Sequence, residues 1–325
     1  MSSHNIKLLL VEKYRPKIFD DFLFDDFIGP KIKTMLATKH IPNMIVTGEP
    51  STGKTSTILF MAKHIYGEHM REHVLELNAS DDRGLVMIQQ TIMPFCKKKT
   101  LSYKLIILDE ADSITPKAQS VLNNILADFK ETTRFIFICN DKFKIGESIQ
   151  SRCKIIHFPK ISKKNLNQKM IAICKNEKFN YTSSGINKLL FSSDYDIRQC
   201  INNLECIMHS HTELTETSVD DIIDIPKLHI IKMIINCCLN KDLKMVMEHT
   251  NTLYNSGYSA NDIILTFMKY IENKEDSPDE YELENDICVY QQLSDSFIKV
   301  SMIDNLVQLM ACMVSIYNII PARAC

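Results

Sequence analysis

Short runs of aliphatic and β-branched residues recur through the first half of the chain. Segments of helical periodicity separate them. The runs at 44–47, 74–77, 105–108, 135–139 and 155–158 predict strands. The spacing predicts helices over 54–66, 85–96 and 116–129, the last with Pro116 in its first turn. The runs at 105–108 and 135–139 show no polar alternation, so they read as strands buried on both faces. Strands alternating with helices imply an α/β fold with a parallel sheet covered on both sides.

After Pro159 the predicted strands stop. Residues 162–224 read as a small all-helical unit, and Pro226 marks a joint. Residues 228–325 are again helical, with an acidic, polar interruption at 273–284 that reads as a solvated loop. Three domains follow, over 1–160, 161–226 and 227–325. A chain of 325 residues is too long for one core, which agrees. No repeat of fixed period interrupts this reading.

Composition changes the picture in three places. No apolar run approaches the roughly 20 residues of a membrane span, and Met1-Ser2-Ser3-His4-Asn5 does not resemble a secretory signal. The expectation is an intracellular protein with no membrane partner. Eleven cysteines lie scattered through predicted helices and strands with no CxxC pair, so they read as reduced core residues. Net charge is −2, but it is unevenly spread. Residues 228–325 hold 7 Lys/Arg against 13 Asp/Glu, and residues 1–227 hold 31 against 27. Any contact with nucleic acid is expected in the first part.

That part also carries the chemistry. Gly48-Glu49-Pro50-Ser51-Thr52-Gly53-Lys54-Thr55 follows a predicted strand and opens a predicted helix, the context in which GxxxxGK[ST] is a P-loop. Gly48 and Gly53 let the backbone turn its N–H groups toward phosphate, and the helix N-terminus adds to the field. Lys54 would reach the β- and γ-phosphates, and Thr55 would coordinate Mg²⁺. Ser56 continues the same first turn. Leu105-Ile106-Ile107-Leu108-Asp109-Glu110 ends a buried strand in two carboxylates, a Walker B pattern. Asp109 would hold the Mg²⁺ shell, and Glu110 would orient or deprotonate the attacking water. Asn140 ends the following strand. An amide there either positions that water or simply makes a turn. ATP with Mg²⁺ is the implied ligand.

Longer stretches are similar to the small subunits of replication factor C, clamp-loader ATPases of the AAA+ class. The resemblance is strongest over residues 10–206. Val11-Glu12-Lys13-Tyr14-Arg15-Pro16 resembles the family's N-terminal box, and Ile28-Gly29 the short element after it. The resemblance implies that Val11, Tyr14, Arg15, Pro16, Ile28 and Gly29 lie about the adenine and ribose. Glu76-Leu77-Asn78-Ala79-Ser80-Asp81-Asp82-Arg83-Gly84 is close to the family consensus. Gln150-Ser151-Arg152-Cys153 resembles the Ser-Arg-Cys motif, and Asp196-Ile197-Arg198-Gln199-Cys200 the lid motif. The resemblance implies that Arg152 acts in trans as an arginine finger. Read without it, Arg152 is a surface residue. It implies that Arg198 senses the γ-phosphate, whereas local sequence allows an ion pair with Asp194 or Asp196. Arg83 is either a DNA-phosphate contact or part of a capping turn.

The same resemblance makes 1–160 the nucleotide-binding domain, 161–226 a helical lid and 227–325 a helical collar for oligomerisation. It implies a five-membered ring of clamp-loader subunits, a sliding clamp of the proliferating cell nuclear antigen type and primer–template DNA. The helix near Gly84–Cys96 is the candidate for docking on the clamp. The location implied is the nucleus for a cellular source, or a viral replication compartment for a viral one. Three departures stand out. Asn123 and Asn124 replace a usual arginine pair, Ser51 replaces a common glycine of the P-loop, and Tyr195 replaces the glycine before the lid Asp. The competing functions are another AAA+ machine, such as a branch-migration motor, and a clamp-loader subunit that completes the ring without hydrolysing ATP.

Overall fold

The computed structural model describes residues 9–80, 84–100, 102–224, 226–272 and 286–321. Arg83 and the acidic interruption at 273–284 lie outside them. The described chain divides into two compact units, Met1–Val219 and Asp220–Cys325.

The first unit is built on a five-stranded sheet. Its strands are β1 (Met44–Gly48), β2 (Val74–Asn78), β3 (Lys104–Asp109), β4 (Thr133–Cys139) and β5 (Lys154–Phe158), in spatial order β2-β3-β4-β1-β5. All pairings are parallel. Alternate residues explain the unbroken apolar runs. Ile45, Ile106, Leu108, Phe135 and Phe137 enter one core with the helix Pro116–Asp128. Met44, Val46, Leu105, Ile107, Ile136 and Ile138 enter a second core, with the helices Ile28–Thr38 and Lys54–Tyr66. Each of these large side chains contributes about 1.5–3 kcal/mol by leaving water. In the central strands β1, β3 and β4 a polar residue at either parity would be buried, so period-2 alternation is absent there. The edge strands instead expose Glu76 on β2 and Lys154, Ile155 and His157 on β5.

The predicted helix over 85–96 is not one regular helix. It runs α over Leu85–Met87, widens to a π-helical stretch at Ile88–Ile92 and returns to α over Met93–Lys97. Pro94 supplies the cause. It has no N–H to donate back, and its ring crowds the preceding turn, so the backbone widens before it. The end of this helix is closed by Lys104. Only 1% of Lys104 is exposed, and its ammonium donates to the carbonyls of Phe95, Cys96 and Lys98 at 2.9, 2.5 and 2.5 Å. Three carbonyls replace the water it loses, while burial lowers its pKa.

The segment after β5 carries the helices Lys163–Asn176, Ser183–Ser192 and Ile197–Ser210. Ser162, Thr182 and Asp196 cap them by accepting N–H bonds. One expectation needs correction: this segment is not purely helical. Asn180–Tyr181 and Glu213–Leu214 form a two-residue parallel pair. Gly185 lies against it, where a Cβ would meet the Leu214 carbonyl oxygen at 2.5 Å. Runs this short give no periodic signal.

Both departures from family glycines fall on left-handed backbone. Ser51 has φ +61° and Tyr195 has φ +56°. These positions favour glycine because a Cβ is crowded there. Tyr195 is partly compensated by the Lys163 ammonium, 5.0 Å from its ring centre. Tyr195→Gly is therefore expected to shift stability by less than about 1 kcal/mol, as relieved strain offsets the lost ring contact. Denaturant unfolding checks this. A loss above about 2 kcal/mol would show that the ring, not the backbone, governs the position.

The second unit is all-helical within the described residues. Its helices are Leu228–Leu239, Leu243–Asn255, Ala260–Glu272, Asp286–Met302 and Leu306–Ile319. They close around one apolar core that includes Ile231, Ile234, Phe267, Leu293, Leu309 and Met313.

Candidate functional site

β1 ends at Gly48, and the P-loop runs into the helix Lys54–Tyr66. Gly48 passes so close to β5 that a Cβ would lie 2.2 Å from the Phe158 carbonyl oxygen. Gly53, at φ +86°, turns the chain into the helix. Lys54 is 7% exposed. Its ammonium donates to the Gly48 and Glu49 carbonyls at 2.8 and 2.6 Å and to Asn140 Oδ1 at 3.1 Å. Burial lowers its pKa, and the nearby Arg198 charge adds to that. Cys139, Asp109 and Asp112 act in the opposite sense.

Thr55 Oγ1 donates to Asp109 Oδ2 at 2.8 Å. A hydroxyl and a carboxylate side by side at the phosphate end of a P-loop are the hard oxygen donors that Mg²⁺ takes, so the residues fit a magnesium nucleotide. Glu110 follows in a left-handed conformation, φ +52°, with its N–H donated to Asp109 Oδ1 at 2.9 Å. Strain of this kind at a reactive position costs roughly 1–3 kcal/mol and is held by its surroundings. The Glu110 carboxylate is exposed and makes no bond or ion pair among the described residues.

Asn140 is pinned at three atoms. Its side chain accepts from Lys54, its carbonyl accepts from Thr47 Oγ1 at 3.1 Å, and its N–H donates to Asp112 Oδ2 at 3.4 Å. It is thus more than a turn residue. Asp112 had no role in the sequence reading, yet it joins the Walker B turn to the end of β4.

A cavity of about 540 Å³ opens beside the P-loop, within the range of nucleotide sites. Ser51, Thr52, Gly53, Lys54, Thr55 and Ser56 line it, as does Asp109. The N-terminal box contributes Val11, Tyr14, Arg15 and Pro16. Ile28 is buried in the core instead, and a Cβ on Gly29 would lie 3.5 Å from Phe24, itself a lining residue. Pro50 adjoins the P-loop turn but is not among the lining residues. From the helical segment come Arg198 and Lys169. Arg198 makes no ion pair among the described residues. Asp196 instead caps its own helix by accepting the Arg198 and Gln199 N–H groups at 2.8 and 3.1 Å.

Two residues behave differently from the sequence reading. The Tyr14 hydroxyl donates to Glu177 Oε1 at 2.5 Å, and burial with that carboxylate pushes its pKa to about 12. Only its ring is left to face the cavity. Glu76 on β2 also lines the cavity, and its pKa is raised by burial and by Asp109, with Arg15 opposing. Sequence spacing gave no hint of it, because the register Asn78↔Asp109 that aligns β2 with β3 is set in three dimensions.

Arg152 does not line this cavity. It is exposed after the short helix Glu147–Gln150, and its guanidinium donates to the Ser148 carbonyl at 3.3 Å. Gln119 braces the approach to it, donating to the Ile114 and Lys144 carbonyls at 3.0 and 2.9 Å and accepting the Gly146 N–H at 2.6 Å.

Comparison with known proteins fits this geometry. Residues 44–160 match the AAA family (ATPase family associated with various cellular activities), and residues 226–288 match the replication factor C C-terminal domain. A putative replication factor C small subunit of Acanthamoeba polyphaga mimivirus is 39% identical over 79% of this chain and 82% of its own. The chain belongs to the replication factor C small-subunit family. Replication factor C subunit 4 of Schizosaccharomyces pombe is 34% identical over 84% of this chain and 81% of its own. Members of this family are clamp-loader AAA+ ATPases of DNA replication, and this chain is one of them. The Thermotoga maritima RuvB Holliday junction branch migration motor aligns with a TM-score of 0.53 over 70% of this chain and 79% of its own, at 11% identity. That likeness establishes the shared fold only, so the branch-migration alternative is not favoured.

Proposed function

We propose that this subunit binds Mg²⁺–ATP in the P-loop cavity and hydrolyses it only within a ring of five clamp-loader subunits. The ring would hold a sliding clamp of the proliferating cell nuclear antigen type open and place it on primer–template DNA. One observation carries the reading. Arg198 reaches the cavity from within the same unit, whereas Arg152 stands exposed outside it. A site lined by Arg15 and Arg198, with Arg152 of the Ser-Arg-Cys stretch turned to solvent instead, suits one half of a composite site.

In that composite site Lys54 neutralises the β- and γ-phosphates. Thr55 and Asp109 would hold a magnesium ion, whose positive charge would offset the charge developing on the transferred phosphoryl group. Glu110 orients and deprotonates the attacking water, and Asn140, fixed against Lys54, positions it. Arg198 couples the nucleotide to the lid, residues 161–226. Arg152 completes the neighbouring subunit's site in trans. Residues 227–325 act as the collar. Ile298, Met302, Ile303 and Val307 are exposed apolar residues close together along that unit, which suits an oligomer contact. Leu85 and Val86, exposed at the start of the π-interrupted helix, suit the clamp contact. The presence of Lys54, Thr55, Asp109 and Glu110 together argues against a subunit that only completes the ring. The ring would work in the nucleus of a cellular host, or in a viral replication compartment.

Native mass measurement on the complex that co-purifies with the chain tests this reading. The expected result is a five-subunit assembly that captures a clamp when ATP is present. Its ATPase should rise on adding clamp and primer–template DNA. A hexamer, or a chain whose ATPase ignores both, would overturn it.

A further inference from the structure

The turn that follows Asn140 holds a feature that the ATPase site does not use. Phe143 is 83% exposed, the most exposed large apolar side chain of the first unit among the described residues. It sits between Lys142 and Lys144 in a single 3₁₀ turn. The turn is braced from several sides. The Asp141 carboxylate accepts the Phe143 N–H at 2.8 Å. Gln150 donates to the Lys142 and Ile145 carbonyls at 3.1 and 2.6 Å, and Gln119 donates to the Lys144 carbonyl at 2.9 Å. The Lys142 ammonium lies 5.2 Å from the ring centre.

A phenyl ring left in water costs free energy, and nothing in the local packing requires it. Here it is rigidly presented, with a cation over the ring and a second lysine beside it. That combination suits a planar, polyanionic partner: the ring offers a stacking surface and the lysines offer charge.

We propose that Phe143 is a stacking platform for an unpaired base of DNA, with Lys142 and Lys144 beside the adjoining phosphates. The proposal rests on the clamp-loader reading, because it presumes that DNA reaches this face.

The chain has no tryptophan, so Phe143→Trp introduces a single tryptophan at the ring position, excited apart from the tyrosines at long wavelength. With ATP and Mg²⁺ present, its emission should be quenched by a primer–template with a single-stranded overhang and by a single-stranded oligonucleotide. A blunt duplex should quench it far less. Phe143→Ala and Phe143→Leu should each weaken overhang binding roughly tenfold, while Phe143→Tyr should not. The slope of log affinity against log salt should stay the same in all three, because no phosphate contact is lost. Unchanged ATP affinity confirms that each variant is folded. Emission that does not respond while anisotropy shows DNA bound would overturn the platform and leave the clamp-loader reading intact. Emission that shifts on adding sister subunits without DNA would make the ring a subunit contact and also overturn it. Absence of DNA binding under every condition would sink both readings.

Discussion

Glu110→Gln is expected to lower ATP hydrolysis by the assembled complex about 10²- to 10⁴-fold while leaving nucleotide affinity almost unchanged. The geometry separates these effects. Binding depends on Lys54, held by three acceptors, and on the Thr55–Asp109 pair. Glu110 belongs to neither set. Its backbone is locked by the Asp109 carboxylate and its left-handed φ, and its own carboxylate is left exposed. An amide keeps the shape and the hydrogen-bond reach but cannot accept the water's proton. A complex carrying Glu110→Gln should therefore accumulate in the ATP state and hold clamp without releasing it. Single-turnover hydrolysis and filter binding on the same preparation measure the two quantities. Hydrolysis within about fivefold of the parent would remove Glu110 from the role of base.

The sheet was legible because its three central strands, β1, β3 and β4, are apolar at both parities. Two cores sandwich it, and that leaves unbroken runs in the sequence. The P-loop and the Asp109–Glu110 pair were legible because their spacing is local. What was not legible depends on contacts between distant segments. The reach of Asn140 to Lys54 spans 86 residues. The capture of the Tyr14 hydroxyl by Glu177 spans 163, and it takes a polar group away from the cavity that the N-terminal box lines. Lys104 is a buried helix cap, and the carbonyls it serves lie six to nine residues away, outside any local pattern. The Ser51 and Tyr195 departures carry a cost that residue identity alone does not display. The backbone shows their cost, since both sit at positive φ where a glycine would be relaxed. A residue read only for its side chain hides that expense.

Arg152→Ala is expected to reduce hydrolysis about 10³-fold, and only in the assembled complex. Among the described residues the guanidinium has one weak tie, to the Ser148 carbonyl, so its removal should leave the fold and the chain's own cavity unchanged. ATP affinity of the isolated chain should be the same for variant and parent. The loss arises next door, where no guanidinium arrives to offset the charge developing on the transferred phosphoryl group. Arg152→Lys should recover little, because an ammonium lacks the planar pair of donors that matches two phosphate oxygens. Arg198→Ala supplies the contrast. Arg198 lines the chain's own cavity and its charge is felt at Lys54, so its loss should weaken ATP binding by the isolated chain as well. If Arg152→Ala instead lowered ATP affinity of the isolated chain as Arg198→Ala does, both arginines would belong to one cavity. The composite site would then have to be abandoned.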